Sequence, residues 1–390
     1  MRFGHPLRPE WPLDPEVTYL NHGTVGATPH AVLRTQQALR DEMARQPSRF
    51  LLREVSHSVG TPAEGPTRIR QAAREVAPFL GARGDDVVFV DNATSGANTV
   101  VRSFPLQAGD EILTTNHTYG AVMNATKWIA ARRGAIVRTI DVPYPTFDAD
   151  DMAARVERAL GPKTRLLVID HITSGSAIVM PIAAIAARCR ARGVAVLVDG
   201  AHAPGAIPLD IPSLGVDYYV GNLHKWGQAP QSSAVLWVLE SRQAALHPLV
   251  ISWDVGQGFT AEFDMVGTRD PTPWLASPAG FRFLADLSLD DVFRWNHALA
   301  WEAGRLLASR WGTNVGVPES HVGTMMTVAA PDRFGSDAAT ANRLRDTLLE
   351  THGIEVHVHA GFGRTWVRVS TQVYNEIADV ERLADVVMHM

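Results

Sequence analysis

The sequence contains one cysteine, Cys189, among its 390 residues. A single cysteine cannot form an internal disulfide, and it provides no cysteine pair for a structural zinc site or a redox CxxC motif. This scarcity favours a reducing compartment, so we expect a cytoplasmic protein. Three prolines and several charges stand before residue 13, where a secretion signal would need an apolar core, so we expect no such signal.

Long apolar runs and blocks of charge are also missing. Apolar runs such as 194–198 are far shorter than the roughly 20 residues that a transmembrane helix requires. The 36 Lys and Arg residues are scattered and nearly balanced by 41 Asp and Glu residues, which gives a net charge of −5. We therefore expect neither a membrane span nor a nucleic-acid partner.

The chain is long enough for two or three domains, and its 46% hydrophobic content suffices for large cores. Between about residues 67 and 240, short apolar runs alternate with amphipathic segments such as 121–133 and 182–192. This alternation predicts an α/β domain built from βαβ units around a largely parallel sheet. The predicted strands are 87–90, 111–114, 136–140, 165–170, 194–199, 217–220 and 234–238.

A passage rich in glycine, proline and aromatic residues, 252–279, interrupts the alternation and is predicted to be a long loop or a domain junction. Beyond it, the pattern predicts a compact α+β domain. The predicted elements are helix 280–311, strand 323–329, helix 336–352, strands 354–358 and 365–370, and helix 375–390. We divide the chain into an N-terminal arm (1–20), a large α/β domain (21–255), a junction or intersubunit loop (256–279) and a small α+β C-terminal domain (280–390).

Polar residues follow three of the predicted strands, at the edge where open α/β sheets bind ligands. The segment DNATSGAN, 91–98, lies between a strand and an apolar helix. Backbone N–H groups at such a turn bind phosphate, and the hydroxyl groups of Thr94 and Ser95 would be further donors. An ordinary helix N-cap has the same composition, so the turn alone does not identify a ligand.

Asp199 and Lys225 follow two further strands, and together they narrow the choice of ligand. Asp199 ends the most apolar strand, and a buried carboxylate needs a cationic or hydrogen-bonding partner. Lys225 follows His224 in DYYVGNLHKWGQ, where apolar neighbours would lower the pKa of its amine and allow it to attack a carbonyl. A phosphate-binding turn, a carboxylate for a pyridinium nitrogen and a lysine for an aldehyde together predict pyridoxal 5′-phosphate (PLP) as cofactor.

Six segments resemble class V aminotransferase-fold enzymes, in the isopenicillin N epimerase-like branch. They are YLNHGTVGATP (19–29), NATSGAN (92–98), VDGAHAPGAIPLDI (198–211), GNLHKW (221–226), GTRDPTPWLA (267–276) and VRVSTQVYN (367–375). The resemblance implies the PLP-dependent transferase fold of type I, with a mostly parallel seven-stranded sheet and a homodimer that shares its active sites. It also implies that Lys225 is the Schiff-base lysine and general base, and that Asp199 is the partner of the pyridine nitrogen.

The same resemblance assigns other residues around cofactor and substrate. Thr94, Ser95 and His224 match phosphate ligands, and Asn222 stands where many relatives have a serine for that contact. The remaining assignments are Tyr119 stacked on the pyridine ring, His202 and Ser174 near the phenolic oxygen, Thr268 supplied by the neighbouring subunit, Arg368 on the substrate carboxylate, and Asn21 and His22 as substrate contacts near the entrance. The planar fork of an arginine suits a carboxylate better than a lysine does.

Several reactions remain open, all of which begin with bond cleavage at Cα of an amino acid with Lys225 as base. Epimerisation requires a proton donor opposite Lys225, and the candidates are His22 and Tyr119, although a structural role is equally open to His22. β-Elimination of a C–S bond requires only a leaving group in line. The substrate is expected to be a modified amino acid of specialised metabolism. Transamination, decarboxylation or oxidative deamination, and non-catalytic ligand binding on the same fold are the alternatives.

Cysteine desulfuration is the outcome that the sequence argues against. It requires a mobile cysteine near the active site, whereas Cys189 lies in the predicted helix 182–192, where core packing is the expected role. Arg53 and His359 are further candidates for contacts with the substrate side chain, but single charged residues outside a motif usually lie on the surface.

Overall fold

The structure, a computed structural model, describes residues 2–56 and 65–390, and the strands in that part of the chain form one large and two small sheets. The strands are β1 (Thr18–Tyr19), β2 (Val87–Val90), β3 (Glu111–Thr115), β4 (Ile136–Ile140), β5 (Thr164–Asp170), β6 (Ala195–Asp199), β7 (Tyr218–Asn222), β8 (Ala234–Val238), β9 (Met325–Ala329), β10 (Ile354–Glu355), β11 (His357–Gly361) and β12 (Arg364–Ser370). The seven-stranded sheet has the order β2-β8-β7-β6-β5-β3-β4. β8 runs antiparallel to both of its neighbours and the other four adjacent pairs are parallel, so the predicted mostly parallel sheet is confirmed.

Helices lie on both faces of this sheet and also in the C-terminal part of the chain. They are α1 (His22–Val25), α2 (His30–Arg45), α3 (Pro47–Arg49), α4 (Arg68–Val76), α5 (Ala93–Ser103), α6 (Gly120–Arg133), α7 (Ala149–Ala159), α8 (Ile182–Ala191), α9 (Glu240–Gln243), α10 (Phe259–Asp264), α11 (Thr272–Asp286), α12 (Leu289–Trp311), α13 (Ala338–Glu350) and α14 (Ile377–His389). In the described part of the chain, none of them combines the length and the apolar character needed to cross a membrane.

The central strands have two hydrophobic cores, one on each face of the sheet. In β6, Ala195 and Leu197 pack into one core, and Val196 and Val198 pack into the other. A parallel strand buried on both faces needs apolar side chains at every position, which explains the uninterrupted apolar run of this strand. Asp199 is the first polar residue of the strand, and it lies at the carboxyl edge of the sheet.

The passage 252–279 contains more helix than we predicted. It includes α10, and α11 begins at Thr272. Pro273, which suggested a loop, stands in the first turn of α11, where a missing N–H costs no intrahelical hydrogen bond. The predicted helix 280–311 is therefore the end of α11 plus α12, which are separated at Ser288 with a φ of 65°. The predicted strand 354–358 is also two strands, β10 and β11.

The C-terminal part forms the predicted α+β unit, in which β11, β12 and β9 make an antiparallel sheet. The N-terminal arm pairs with this unit through β1 and β10, with Thr18 opposite Ile354. The chain then returns to the large sheet at Gly26. A Cβ atom on Gly26, whose φ is +76°, would lie 2.1 Å from the carbonyl oxygen of His224, so only glycine permits this approach to Lys225.

Candidate active site

The carboxyl ends of β5, β6 and β7 and the N-terminus of α5 surround a cavity of about 170 Å³. Parallel strands place their carboxyl ends at one edge, which brings together residues that are far apart in the chain. Eight of the residues singled out in the sequence line this cavity: Thr94, Tyr119, Ser174, Asp199, His202, Asn222, His224 and Lys225. Arg368 contacts Ser174 at its border.

Lys225 lies three residues beyond β7, with its Nζ atom 3.2 Å from Nε2 of His202. Burial, and next the positive charge of Arg368, lower the pKa of the Lys225 amine to about 7, while Asp199 and Asp170 oppose this shift. An amine with a pKa near 7 is partly neutral at physiological pH. It can therefore act as a nucleophile and as a base.

Asp199 is 3% exposed, and its Oδ1 accepts a hydrogen bond of 3.0 Å from the backbone N–H of Ala201. Burial raises the pKa of its carboxyl group, and the hydrogen bond from Ala201 and the positive charge of Lys225 oppose this in part. A cationic nitrogen brought into the cavity would oppose the effect of burial and favour the ionised carboxylate.

The turn that we predicted to bind phosphate contains a helix cap that involves Ser95. Asn92 caps α5, and its Oδ1 accepts hydrogen bonds from the backbone N–H of Ser95 at 2.8 Å and from its hydroxyl at 3.2 Å. Ser95 therefore serves the helix cap and does not line the cavity, whereas Thr94 does. Asn222 joins β7 to this turn, since its Oδ1 accepts the N–H of Ala93 at 2.8 Å. The amide oxygen is thus engaged, and the NH₂ group is the part of Asn222 that a phosphate would contact.

His224 is held by the backbone, since its Nδ1 lies 2.8 Å from the carbonyl oxygen of Ser233 and must donate to it. Burial lowers the pKa of the ring to about 4. The neutral ring thus presents Nε2 as an acceptor. A phosphate beside it would favour the imidazolium form, which donates from both nitrogens.

Arg368 is a buried cation without an anionic partner. It is 1% exposed, and in residues 2–56 and 65–390 no carboxylate forms an ion pair with it. Its guanidinium donates to the Ser174 carbonyl at 2.7 Å, the Thr24 hydroxyl at 2.9 Å and Asn21 Oδ1 at 3.4 Å. Neutral acceptors orient the side chain but leave its charge uncompensated, which is costly in a buried position. The arrangement suits a carboxylate brought by a ligand.

Asn21 and His22 support the site from behind and do not line the cavity. Asn21 accepts from Arg368 and donates to Glu355 at 2.7 Å. His22 is fully buried, with Nδ1 2.9 Å from the Tyr374 hydroxyl and Nε2 3.1 Å from the Lys225 carbonyl oxygen. Both ring nitrogens are in hydrogen-bond contact with the protein. The contacts of His22 therefore match a structural role and not that of a proton donor to substrate.

Tyr119 precedes α6 at the mouth of the cavity and is 46% exposed. Thr268 is exposed on the loop between α10 and α11 and does not line the cavity of its own chain. Arg53 is likewise exposed and does not line it, and His359 lies on β11 beside Gly175. Cys189 is fully buried in α8, and burial raises the pKa of its thiol to about 12, so the chain has no cysteine at the cavity.

Sequence reasoning missed Asp170, Thr24 and Asn92, which also line the cavity. Asp170 had a visible signal, because it ends the apolar strand RLLVID just as Asp199 ends VAVLVD. Thr24 lacked one, because only the return of the N-terminal segment brings it to Arg368.

Comparisons with known proteins agree with this architecture. Residues 18–383 match the family described as Aminotransferase class-V. The chain is 32% identical to a probable chloroplastic L-cysteine desulfhydrase of Arabidopsis thaliana, over 96% of this chain and 83% of that protein. It is also 32% identical to the isopenicillin N epimerase of Streptomyces clavuligerus, over 96% of this chain and 94% of that one. A solved structure of a lysine-to-alanine mutant of C-DES, with glycine covalently linked to the PLP cofactor, superposes with a TM-score of 0.80, at 21% identity over 97% and 98% of the two chains.

The chain belongs to the class V aminotransferase family.

This class V enzyme is PLP-dependent, and its cavity fits the cofactor. Three buried polar atoms around the cavity have no hydrogen-bond partner in the described part of the chain: Asp170 Oδ2, His202 Nδ1 and Arg368 Nε. Buried polar atoms without partners are rare in folded proteins, and here they surround the space that a polar group would fill. The donor set suits PLP, with an amine of low pKa, a buried carboxylate and a helix N-terminus.

Proposed function

We propose that this class V enzyme cleaves the C–S bond of an S-substituted cysteine or related amino acid by β-elimination. One observation carries the proposal: the cavity contains one amine of low pKa, Lys225, and Arg368, a buried cation without an ion-pair partner, lies at its border. His22, another candidate for proton transfer, lies outside the cavity with both ring nitrogens in hydrogen-bond contact. β-Elimination needs one base and a leaving group. Epimerisation needs a second proton donor on the opposite face.

The residues that would hold the cofactor divide into three groups. Thr94, His224 and the NH₂ group of Asn222 would bind its phosphate, at the N-terminus of α5. Asp199 would bind the pyridine nitrogen, and Tyr119 would cover the ring. His202 and Ser174, which also line the cavity, would contact the phenolic oxygen. When bound, PLP supplies an aldehyde for an amine and a ring that accepts an electron pair from Cα.

Lys225 and Arg368 would divide the work on the substrate. Arg368 would hold the α-carboxylate and so fix which bond at Cα faces Lys225. The Lys225 amine would remove the Cα proton, a Cα–Cβ double bond would form, and sulfur would depart with the electron pair of the C–S bond. A thiolate is a good leaving group because a free thiol has a pKa of only about 8.5, so no strong acid is required. Hydrolysis of the unsaturated product then gives pyruvate and ammonia from a cysteine derivative.

Epimerisation is the second candidate, and Tyr119 is the observation that favours it. Tyr119 lines the cavity, and its hydroxyl is the remaining donor candidate from the sequence. The relatives are named for both reactions, one as a desulfhydrase and one as an epimerase.

We also propose a homodimer, because a second copy would supply Thr268 to this cavity and cover an apolar surface. The segment 249–255 exposes large apolar side chains, with Trp253 85% exposed. Mass measurement by light scattering of the purified protein tests this. A monomer at micromolar concentration would refute it.

The reaction is tested with the PLP-loaded protein, an S-substituted L-cysteine and Lys225→Ala as control. We expect equimolar pyruvate and thiol, formed without a keto-acid acceptor and lost in the variant. L-Alanine, which lacks a leaving group, is incubated in deuterated water to follow Cα exchange. D-Alanine without any pyruvate from the cysteine derivative would establish the epimerase instead. Keto acid formed only with the amino form of the cofactor would establish an aminotransferase.

A further inference from the structure

Asp170 and Asp199 form a pair of buried carboxyl groups at the floor of the cavity. They end the neighbouring parallel strands β5 and β6 and face each other in register. Each is 3% exposed, and both line the cavity. Adjacent carboxyl groups away from water cannot both ionise at low cost, so such a pair holds one proton over a wide pH range.

The contacts of Asp170 indicate which member of the pair carries that proton. Its Oδ1 accepts the backbone N–H of Tyr119 at 3.3 Å, whereas its Oδ2 is buried without a partner. A buried, unpaired carboxylate oxygen is costly, but a protonated one can donate to a neighbouring carboxylate. Asp199, in contrast, accepts from Ala201 and is open to the cavity.

The groups that face Asp170 support this assignment. Asp199 faces it from β6, Lys225 from the segment after β7, and the Tyr119 N–H from the turn before α6. Burial and next Asp199 raise its pKa well above the ordinary value, and Lys225 and the Tyr119 N–H offset this only in part. The neighbouring His171 ring is engaged elsewhere, with Nδ1 2.8 Å from the Tyr219 hydroxyl.

We propose that Asp170 is a positioning residue of the cofactor site, which as a carboxylic acid donates a hydrogen bond to Asp199 and holds the Tyr119 turn over the cofactor ring. Asp199 then stays oriented as the ionised partner of the pyridine nitrogen, and Tyr119 stays in place without contributing a charge. The inference rests on the PLP dependence of the family and not on the proposed C–S cleavage.

Asparagine is the substitution that separates a neutral donor from a charge. In Asp170→Asn, the amide oxygen can accept from Tyr119 and the NH₂ group can donate to Asp199, as the protonated acid does. In Asp170→Ala, neither contact is possible. Asp110→Asn is a matched control, because Asp110 is also buried, at 8% exposure, but precedes β3 at the opposite edge of the sheet and pairs with Arg165.

The test is PLP titration of the apoproteins, with the dissociation constant and the pH dependence of the visible absorption of the bound cofactor as readouts. We expect Asp170→Asn and Asp110→Asn to match the wild type within about threefold, and Asp170→Ala to bind at least about tenfold more weakly with an altered pH dependence, as the loss of a hydrogen bond to a charged group predicts. If Asp170→Asn behaves like Asp170→Ala, Asp170 acts as a charge and the proposal fails. If Asp170→Ala behaves like the wild type, Asp170 positions nothing and the proposal also fails.

Thermal unfolding of the apoproteins gives a second readout without cofactor. A carboxyl group whose pKa is raised by folding makes the native state less stable as pH rises from the ordinary carboxyl pKa to the raised value, and the loss is complete above that value. The unfolding temperature of Asp170→Asn should therefore equal that of the wild type at acidic pH and exceed it at alkaline pH. Parallel unfolding curves at every pH would overturn the shared proton. Neither readout involves turnover, so failure of the proposed C–S cleavage leaves this test intact.

Discussion

Arg368→Lys tests whether the buried guanidinium binds the substrate carboxylate. The substitution keeps the positive charge but removes the planar fork, so one of the two parallel hydrogen bonds to a carboxylate is lost. Three neutral acceptors, from Ser174, Thr24 and Asn21, hold the guanidinium in a fixed orientation. A lysine ammonium cannot satisfy all of them and a ligand at once.

The expected magnitude follows from that single bond. A hydrogen bond to a charged group contributes about 1.5–3 kcal/mol, which corresponds to a loss of about 10- to 150-fold in affinity. The loss should apply only to ligands with a carboxylate. L-Alanine and L-alaninamide make a suitable pair, because both carry the amine and neither has a leaving group.

Affinity is measured from the change in visible absorption of the PLP-loaded protein on addition of each ligand. We expect Arg368→Lys to weaken the binding of L-alanine by about 10- to 150-fold and the binding of L-alaninamide by less than about threefold, because the neutral amide forms no ion pair with residue 368. The control is Arg364→Lys on the same strand, where the arginine pairs with Asp332 at the surface and should affect neither ligand. An equal loss for both ligands in Arg368→Lys would refute the carboxylate role.

Three further predictions concern the amine, the buried histidine and the cysteine. PLP should react with the apoprotein faster as pH rises through about 7, because the Lys225 amine loses its proton there; a rate independent of pH from 6 to 8 would contradict the lowered pKa. His22→Phe should lower the unfolding free energy by about 1–3 kcal/mol, measured by denaturant titration, because the Tyr374 hydroxyl and the Lys225 carbonyl lose their partner. His22→Phe should leave exchange of the Cα hydrogen intact, and loss of that exchange would show that His22 takes part in proton transfer. Cys189→Ala should keep C–S cleavage at a stability cost of about 1 kcal/mol, whereas loss of activity in a folded variant would revive desulfuration.

The cofactor site could be predicted best where a polar residue closely follows an apolar strand. Asp199 and Lys225 follow strands whose apolar runs are plain in the sequence, and the structure places both at one cavity. Ser95 was less predictable, because a serine hydroxyl at such a turn can bind a phosphate or cap a helix, and its contact with Asn92 is visible only in the structure. Asn222 shows the same ambiguity, since its amide oxygen accepts a hydrogen bond from the backbone N–H of Ala93.

The helices around 252–311 show a different limit. Prolines at 271, 273 and 278 indicated a loop, yet α11 begins at Thr272 and continues through Pro278. Helix formation there depends on packing against α2 and α4, which sequence pattern does not contain. The predicted domain boundary at residue 280 consequently falls inside a helix.

The sequence by itself determined the fold class and the cofactor, because apolar strands buried on both faces and polar residues at their ends are local patterns with a direct physical cause. The tertiary structure decided the roles of residues that act through distant partners. His22 meets Tyr374 and the Lys225 carbonyl across more than 200 residues of chain, and Arg368 meets Asn21 across 347. The strand-end position of Asp170 is visible in the sequence, but the proton that we propose it shares with Asp199 follows only from the two strands lying side by side, since a shared proton requires two carboxyl groups in one buried place.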